Sequence, residues 1–247
     1  LFYGDDQNTW VLSGSRYIHA NNPYADSNTY FITVNSSVSG RPKRINEVNV
    51  SETSNYTSSS YDYYDFHESD AANLIKSGRE WYGEQMGIVP SFDFGFSVPD
   101  IVTTEKAFVV ASYAGRSVSI AGAEISLSVP NQGLSPESKI VPAVPSGYAT
   151  QYARSGNFEL EFNPVGSNFL TKIEFDNSIN PQATAWVNEI EVNARRRSVF
   201  SGGFMPMRDR NSVADGRITR FEIEAVEDEF EVWDVTDFSN TVKLQIN

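Results

Sequence analysis

The sequence predicts a mainly β protein: an antiparallel, jelly-roll-like β-sandwich preceded by a small β domain that carries one amphipathic helix. Period-two alternation dominates, most clearly in Phe158-Glu159-Leu160-Glu161-Phe162, Thr171-Lys172-Ile173-Glu174-Phe175, Ile190-Glu191-Val192 and Phe221-Glu222-Ile223-Glu224-Ala225. A strand with one buried face requires that pattern. Turn-forming stretches such as Pro130-Asn131-Gln132-Gly133, Pro145-Ser146-Gly147 and Asn177 to Pro181 punctuate the runs. Short strands separated by turns, rather than by helices, point to an antiparallel sandwich and not to a parallel sheet.

Further alternating runs lie at Tyr30 to Val34, Phe92 to Val98 and Glu124 to Val129. Ser51 to Ser60 is rich in Ser, Thr and Asn and reads as a loop. After it, Ala71, Leu74, Ile75, Gly78, Trp81 and Tyr82 recur at three- and four-residue spacing behind Asp65, Glu68 and Asp70. That spacing predicts an amphipathic helix over about 66–83, ending near Gly83 or Gly87, with Pro90 forbidding continuation. The composition shift at Gly87 to Ser91 divides the chain into a small β domain (1–89), a β-sandwich (90–230) and a strand or linker (231–247). Beginning at Leu1 without Met and ending in a strand-like Val242 to Ile246, the chain reads as part of a longer protein.

With 40% hydrophobic and 13% aromatic residues, 247 residues are enough to close a core. The balance of 19 basic against 32 acidic side chains, net −13, argues against a nucleic-acid partner, because neutralising phosphates needs a basic face. The longest apolar stretch, around Lys106 to Ala111, falls far short of the roughly 18 residues that span a bilayer. The absence of cysteine removes disulfides, thiolate zinc sites and a cysteine nucleophile, and leaves His19 and His67 as the only imidazoles. No G-x-S-x-G, P-loop, H-E-x-x-H or dinucleotide fingerprint occurs, so catalysis within this segment is not expected.

The one concentrated group of ligand-type residues is Asp62, Asp65, His67, Glu68 and Asp70 among Tyr61, Tyr63, Tyr64 and Phe66. Oxygen ligands at such spacing suit a hard cation, calcium, with Asp62, Asp65 and Glu68 as the candidates. Carboxylates at the start of a helix explain the group equally, because they complement its dipole and free N–H groups. The tyrosines could stack on a sugar, which keeps a carbohydrate-binding module as an alternative function, or could alternate between core and rim. Arg195, Arg196 and Arg197 follow the strand Trp186 to Val192. They are candidates for gripping anionic groups of another domain, or for solvated charge at a strand end. Trp81, Tyr82 and Trp186 are expected to be buried structural aromatics.

Several strings taken in order resemble a known family: Phe2-Tyr3-Gly4, Asn22-Pro23-Tyr24, Tyr30-Phe31-Ile32-Thr33, Ser77-Gly78-Arg79-Glu80-Trp81-Tyr82-Gly83-Glu84, Trp186 to Arg196 and Val232-Trp233-Asp234-Val235-Thr236-Asp237. They resemble the region upstream of the gingipain-type cysteine peptidase domain in PorU-like proteins, the C-terminal signal peptidases, or sortases, of the type IX secretion system in Bacteroidetes. The resemblance implies a parent enzyme at the outer-membrane surface that removes the sorting domain of secreted cargo. It implies that this chain is a non-catalytic region whose partners are the peptidase domain and, further, cargo or translocon proteins. No catalytic residue carries over, because the family's His and Cys lie beyond the matching strings, and no cofactor is implied.

Overall fold

The computed structural model describes residues 9–22, 27–31, 45–76, 78, 80–145, 151–225 and 229–246. Phe2-Tyr3-Gly4, Pro23-Tyr24, Ile32 to Val34, Ser77, Arg79 and Ser146-Gly147, all used in the sequence reading, lie outside the described residues.

The chain forms β1 (Thr9–Ser13), β2 (Arg16–Ala20), β3 (Asn46–Val48), β4 (Tyr56–Ser58), β5 (Ser60–Glu68) and β6 (Gln85–Met86). It continues with β7 (Ser91–Ser97), β8 (Ala107–Arg116), β9 (Glu124–Val129), β10 (Leu134–Ile140), β11 (Arg154–Phe162), β12 (Asn168–Asp176) and β13 (Thr184–Arg197). Short strands follow: β14 (Val199–Phe200), β15 (Thr219–Phe221), β16 (Glu224–Ala225), β17 (Val232–Asp234) and β18 (Val242–Leu244).

Two sheets make the sandwich. One has the order β10-β9-β12-β7; the other has β11-β8-β13-β5, with β6 continuing the β5 edge along β13. Their ladders are antiparallel, and the order in which the chain visits the two sheets is that of a jelly roll. Between them lies a dry core built by alternate residues: Val109 and Ala111 of β8, Ile125 and Leu127 of β9, Phe158 of β11, Phe169 and Ile173 of β12, and Ile190 and Val192 of β13. The alternating runs at 124–129, 158–162 and 171–175 are strands, as expected from their pattern.

Among the described residues of 66–83, the expected helix is not there. Its first residues belong to β5, where alternate side chains serve opposite faces of a sheet, and the apolar spacing beyond arises from a bent excursion. Ala72 and Tyr82 exchange backbone hydrogen bonds of 2.8 and 2.9 Å, closing that excursion as a β-bridge. At its turn Lys76 and Gly78 take φ of 54° and 73°, left-handed values that a right-handed helix cannot contain.

Other expectations need correcting too. Tyr56–Ser58, read as loop, is a strand that pairs in parallel with β15. Tyr30 and Phe31 lie outside any strand. The run Phe221 to Ala225 is not one strand, because its amides go to different partners: Glu222 N–H to Ser58 O and Glu224 N–H to Ser198 O. Residues 60–68, placed by the sequence in the first unit, share a ladder with β13 of the second. Residues 232–244 fold back, and β18 pairs with both β17 and β3.

Candidate functional site

The five-stranded sheet turns its second face away from the core, and along β13 and part of β5 that face is covered too, while on β11 it stays open. β13 points Glu189, Glu191, Asn193 and Arg195 outward, and β5 adds Asp62, Tyr64, Phe66 and Glu68, because directly paired residues share a face. The β1–β2 hairpin lies over this surface, joined by the tight Gly14 turn at φ 63°. Its backbone is held by side chains rather than by a ladder. The Asn193 amide accepts from Tyr17 N–H at 2.7 Å and donates to Tyr17 O at 2.9 Å, as a neighbouring strand would. Glu191 accepts from His19 N–H at 2.8 Å. Aromatic rings fill the rest: Trp10 lies 4.3 Å from Tyr64 between centroids, and His19 stacks on Phe66 at 3.8 Å.

At the β2 end of this layer three strands converge. The His19 ring is fully enclosed, and its Nδ1 lies 2.5 Å from Glu189 Oε1. Asn21 donates to Glu68 at 2.7 Å, and Arg16 bridges Glu159 at 2.9 Å and Glu191 at 3.6 Å. Burial works against a charged His19, but the hydrogen bond to Glu189 and the charges of Glu189, Glu68 and Glu191 raise its pKa above the ordinary histidine value. Burial also raises the Glu191 and Glu68 carboxyls above theirs.

At the other end, Arg195 is buried. Its guanidinium meets Asp62 at 3.1 Å and Asp209 at 2.8 Å and donates to Ser60 O at 2.8 Å, while Arg210 forms a further ion pair with Asp62. This charge cluster fixes residues 208–212 against the sheet. Arg195 is thereby neither free to grip another domain nor solvated charge at a strand end. Arg196 is half-hidden over the Tyr61 ring and pairs with Asp100 at 3.7 Å. Arg197 alone is open, its side chain 57% exposed beside Asp100 and Glu224.

The cation candidates Asp62, Asp65 and Glu68 are not brought together. Strand alternation sends Asp65 to the opposite face from the other two, and Asp62 is committed to Arg195 and Arg210. The tyrosines form no common platform for the same reason: Tyr61 and Tyr63 face inward, and Tyr64 outward under Trp10 and Tyr17. Tyr82 and Trp186 are buried together with Ala114, but Trp81 is 40% exposed, against expectation. His67, on the inward side of β5, pairs with Glu84 at 2.9 Å beside Phe94, in an open groove of about 550 Å³ between β5 and β7.

The sequence reading passed over the hairpin and the outward residues Glu189, Glu191 and Asn193. Two signals were present: Ser13-Gly14 as a turn between Trp10-Val11-Leu12 and Tyr17-Ile18-His19, and the alternation of β13 from Glu189 to Arg195, beyond the bulge at Asn188.

No family model matches the sequence, and no curated protein matches it. Among solved structures, dimeric latent PorU from Porphyromonas gingivalis is similar over 100% of this chain, with a TM-score of 0.77 and 19% identity. The chain spans 23% of the length of that protein. Two carbohydrate-binding modules are also similar: CBM35 from Cellvibrio japonicus Abf62 (TM-score 0.32, 10% identity, 57% of this chain and 91% of that one) and CBM6cm-2 from Cellvibrio mixtus lichenase 5A (TM-score 0.28, 13% identity, 52% and 86%). At those scores they carry no argument about ligands. Along its whole length, this chain shares the fold of a segment of PorU.

Proposed function

We propose that this chain is a non-catalytic region of a PorU-like cell-surface cysteine peptidase of the type IX secretion system, and that it braces the peptidase domain. The observation that carries this reading is the PorU likeness over the whole chain, sandwich and accessory strands together, at a TM-score of 0.77. The order of the Trp186 to Arg196 and Val232 to Asp237 strings supports it. Chemistry supports the non-catalytic part: the chain has no cysteine, and His19 is sealed beneath the hairpin. In this reading the parent acts at the outer-membrane surface on the sorting domains of secreted cargo, and the present region contributes stability and placement. Cargo and translocon proteins are then partners of the assembled enzyme.

Burial of Arg195 moves the docking face away from the arginine run. We assign it instead to one end of the sandwich, where Ile88, Val89, Val118, Ile120 and Ile179 are exposed from neighbouring loops. Asn177 donates to Gly87 O and Asn180 to Ser117 Oγ, tying those loops together. Exposed branched aliphatics concentrated on a protein of net charge −13 suit a contact with the rest of the longer chain.

The test is binding between the isolated chain and the separately purified peptidase-containing remainder of its parent. Association is expected, weakened at least about tenfold by combined Ile88→Asp, Ile120→Asp and Ile179→Asp, since truncating buried interface anchors costs more than about 1 kcal/mol each. No association, together with polysaccharide binding by the isolated chain, would reject the bracing role in favour of a carbohydrate module.

A further inference from the structure

We propose that His19, Glu68 and Glu189 form a site for one divalent transition-metal cation of the Zn²⁺ type, which fastens the β1–β2 hairpin to the outer face of the five-stranded sheet. One ligand atom from each residue lies within 4.8 Å of the other two. Each residue comes from a different strand, β2, β5 and β13, so a shared ion would cross-link segments far apart in sequence.

Three observations separate this group from an ordinary acidic patch. Glu68 and Glu189 stand directly opposite in the β5–β13 ladder, where like charges repel. Glu191 adds a third carboxylate two residues along, and Arg16, the cation beside it, is shared with Glu159. This end of the layer therefore holds more carboxylates than the Arg16 guanidinium answers. The imidazole between these acids has a 0% exposed side chain, and its Nδ1 is directed at Glu189 at 2.5 Å.

The donor set selects the metal. One imidazole nitrogen and two carboxylates suit Zn²⁺ and its neighbours, whereas Ca²⁺ and Mg²⁺ take oxygen ligands. Supporting contacts are already in place: Glu191 holds the His19 backbone, Asn21 donates to Glu68, and Phe66 and Trp10 pack on the imidazole at 3.8 and 5.0 Å. Such contacts orient ligands and exclude water. A competing account makes protonated His19 itself the cation that answers the carboxylates. The two accounts differ in whether a metal binds.

The experiment titrates metal-stripped protein with Zn²⁺ by calorimetry and with Co²⁺ by visible absorption, using Mg²⁺ and Ca²⁺ as controls for loose binding to an acidic surface. Saturable one-to-one binding of Zn²⁺ and Co²⁺ is expected, undisturbed by millimolar Mg²⁺. Glu68→Gln and Glu189→Gln, which preserve side-chain volume, should each weaken it by at least about tenfold, as perturbing a metal's shell does. In the unaltered protein, Co²⁺ should shift and broaden the ring-proton resonances of His19 while sparing those of His67, a readout independent of how any variant folds. Absence of one-to-one binding, equal binding by the Gln variants, or an undisturbed His19 ring would overturn the site and leave the imidazolium account standing.

Discussion

The two faces of β13 are both closed to water, by opposite means. Inward, Ala185, Val187, Ile190, Val192 and Ala194 meet the facing sheet in a dry core. Outward, Glu191, Asn193 and Arg195 are each 5% exposed, beneath a hairpin and residues 208–212. The inner face is specified by volume and apolar area, which tolerate exchange of similar shapes. The outer face is specified by directed bonds, each with one correct partner, and it becomes costly as soon as one partner is missing. The difference teaches that alternation reveals which residues share a face but not what covers that face.

The comparison can be broken most forcefully at Arg195. Arg195→Ala leaves Asp62 and Asp209 together in a closed layer with one guanidinium fewer. Removing one partner of a buried ion cluster costs about 3–5 kcal/mol. The inner counterpart, Ile190→Ala, empties space in the dry core at a cost of about 2–5 kcal/mol. Urea unfolding of both variants measures the contrast. Should Arg195→Ala cost under about 1 kcal/mol, the outer layer would be behaving as ordinary surface, and the distinction between the faces would fail.

This contrast also explains how much could be read from the sequence. The jelly-roll strands at 124–129, 158–162 and 171–175 were legible because one of their faces is apolar and the other wet. β5 was not, since Tyr61 and Tyr63 face the core while Tyr64 and Phe66 pack under Trp10 and His19. Aromatic residues on both faces erase the period-two signal, and the remaining apolar spacing imitates a helix. The arginine run misled for a related reason: charge on the second face of a sheet reads as solvent-facing until something covers it. What covers it is residues 208–212 over Arg195 and the hairpin at residues 9–20, more than 170 positions from Asn193 in sequence, and no local pattern announces either pairing.

A smaller effect sharpens the same comparison at Asn193. Asn193→Ala strips both hydrogen bonds from the Tyr17 backbone, leaving a buried donor and acceptor unanswered, at a cost of about 1–3 kcal/mol. The loss should be local. Amide hydrogen exchange is expected to accelerate in β1 and β2, while the amides of β8, flanked by β11 and β13, stay protected. Uniform acceleration across both sheets would show that the hairpin and the sandwich open as one unit.

The smallest effect falls where the covering ends. Arg197 stands two residues beyond Arg195 on the same strand, so it shares the outward face, but its side chain is 57% exposed and its contacts to Asp100 and Glu224 are 3.5 and 3.9 Å long. An exposed pair is screened by salt and spends side-chain entropy, so its contribution is about 0–1 kcal/mol. Arg197→Ala should therefore leave the unfolding midpoint nearly unchanged at moderate salt, where Arg195→Ala collapses it. The two variants remove the same guanidinium from the same face of one strand, and only the covering differs. Equal losses at both positions would mean that local charge, rather than enclosure, governs this face, and that result would overturn the account of the outer layer as a second, polar core.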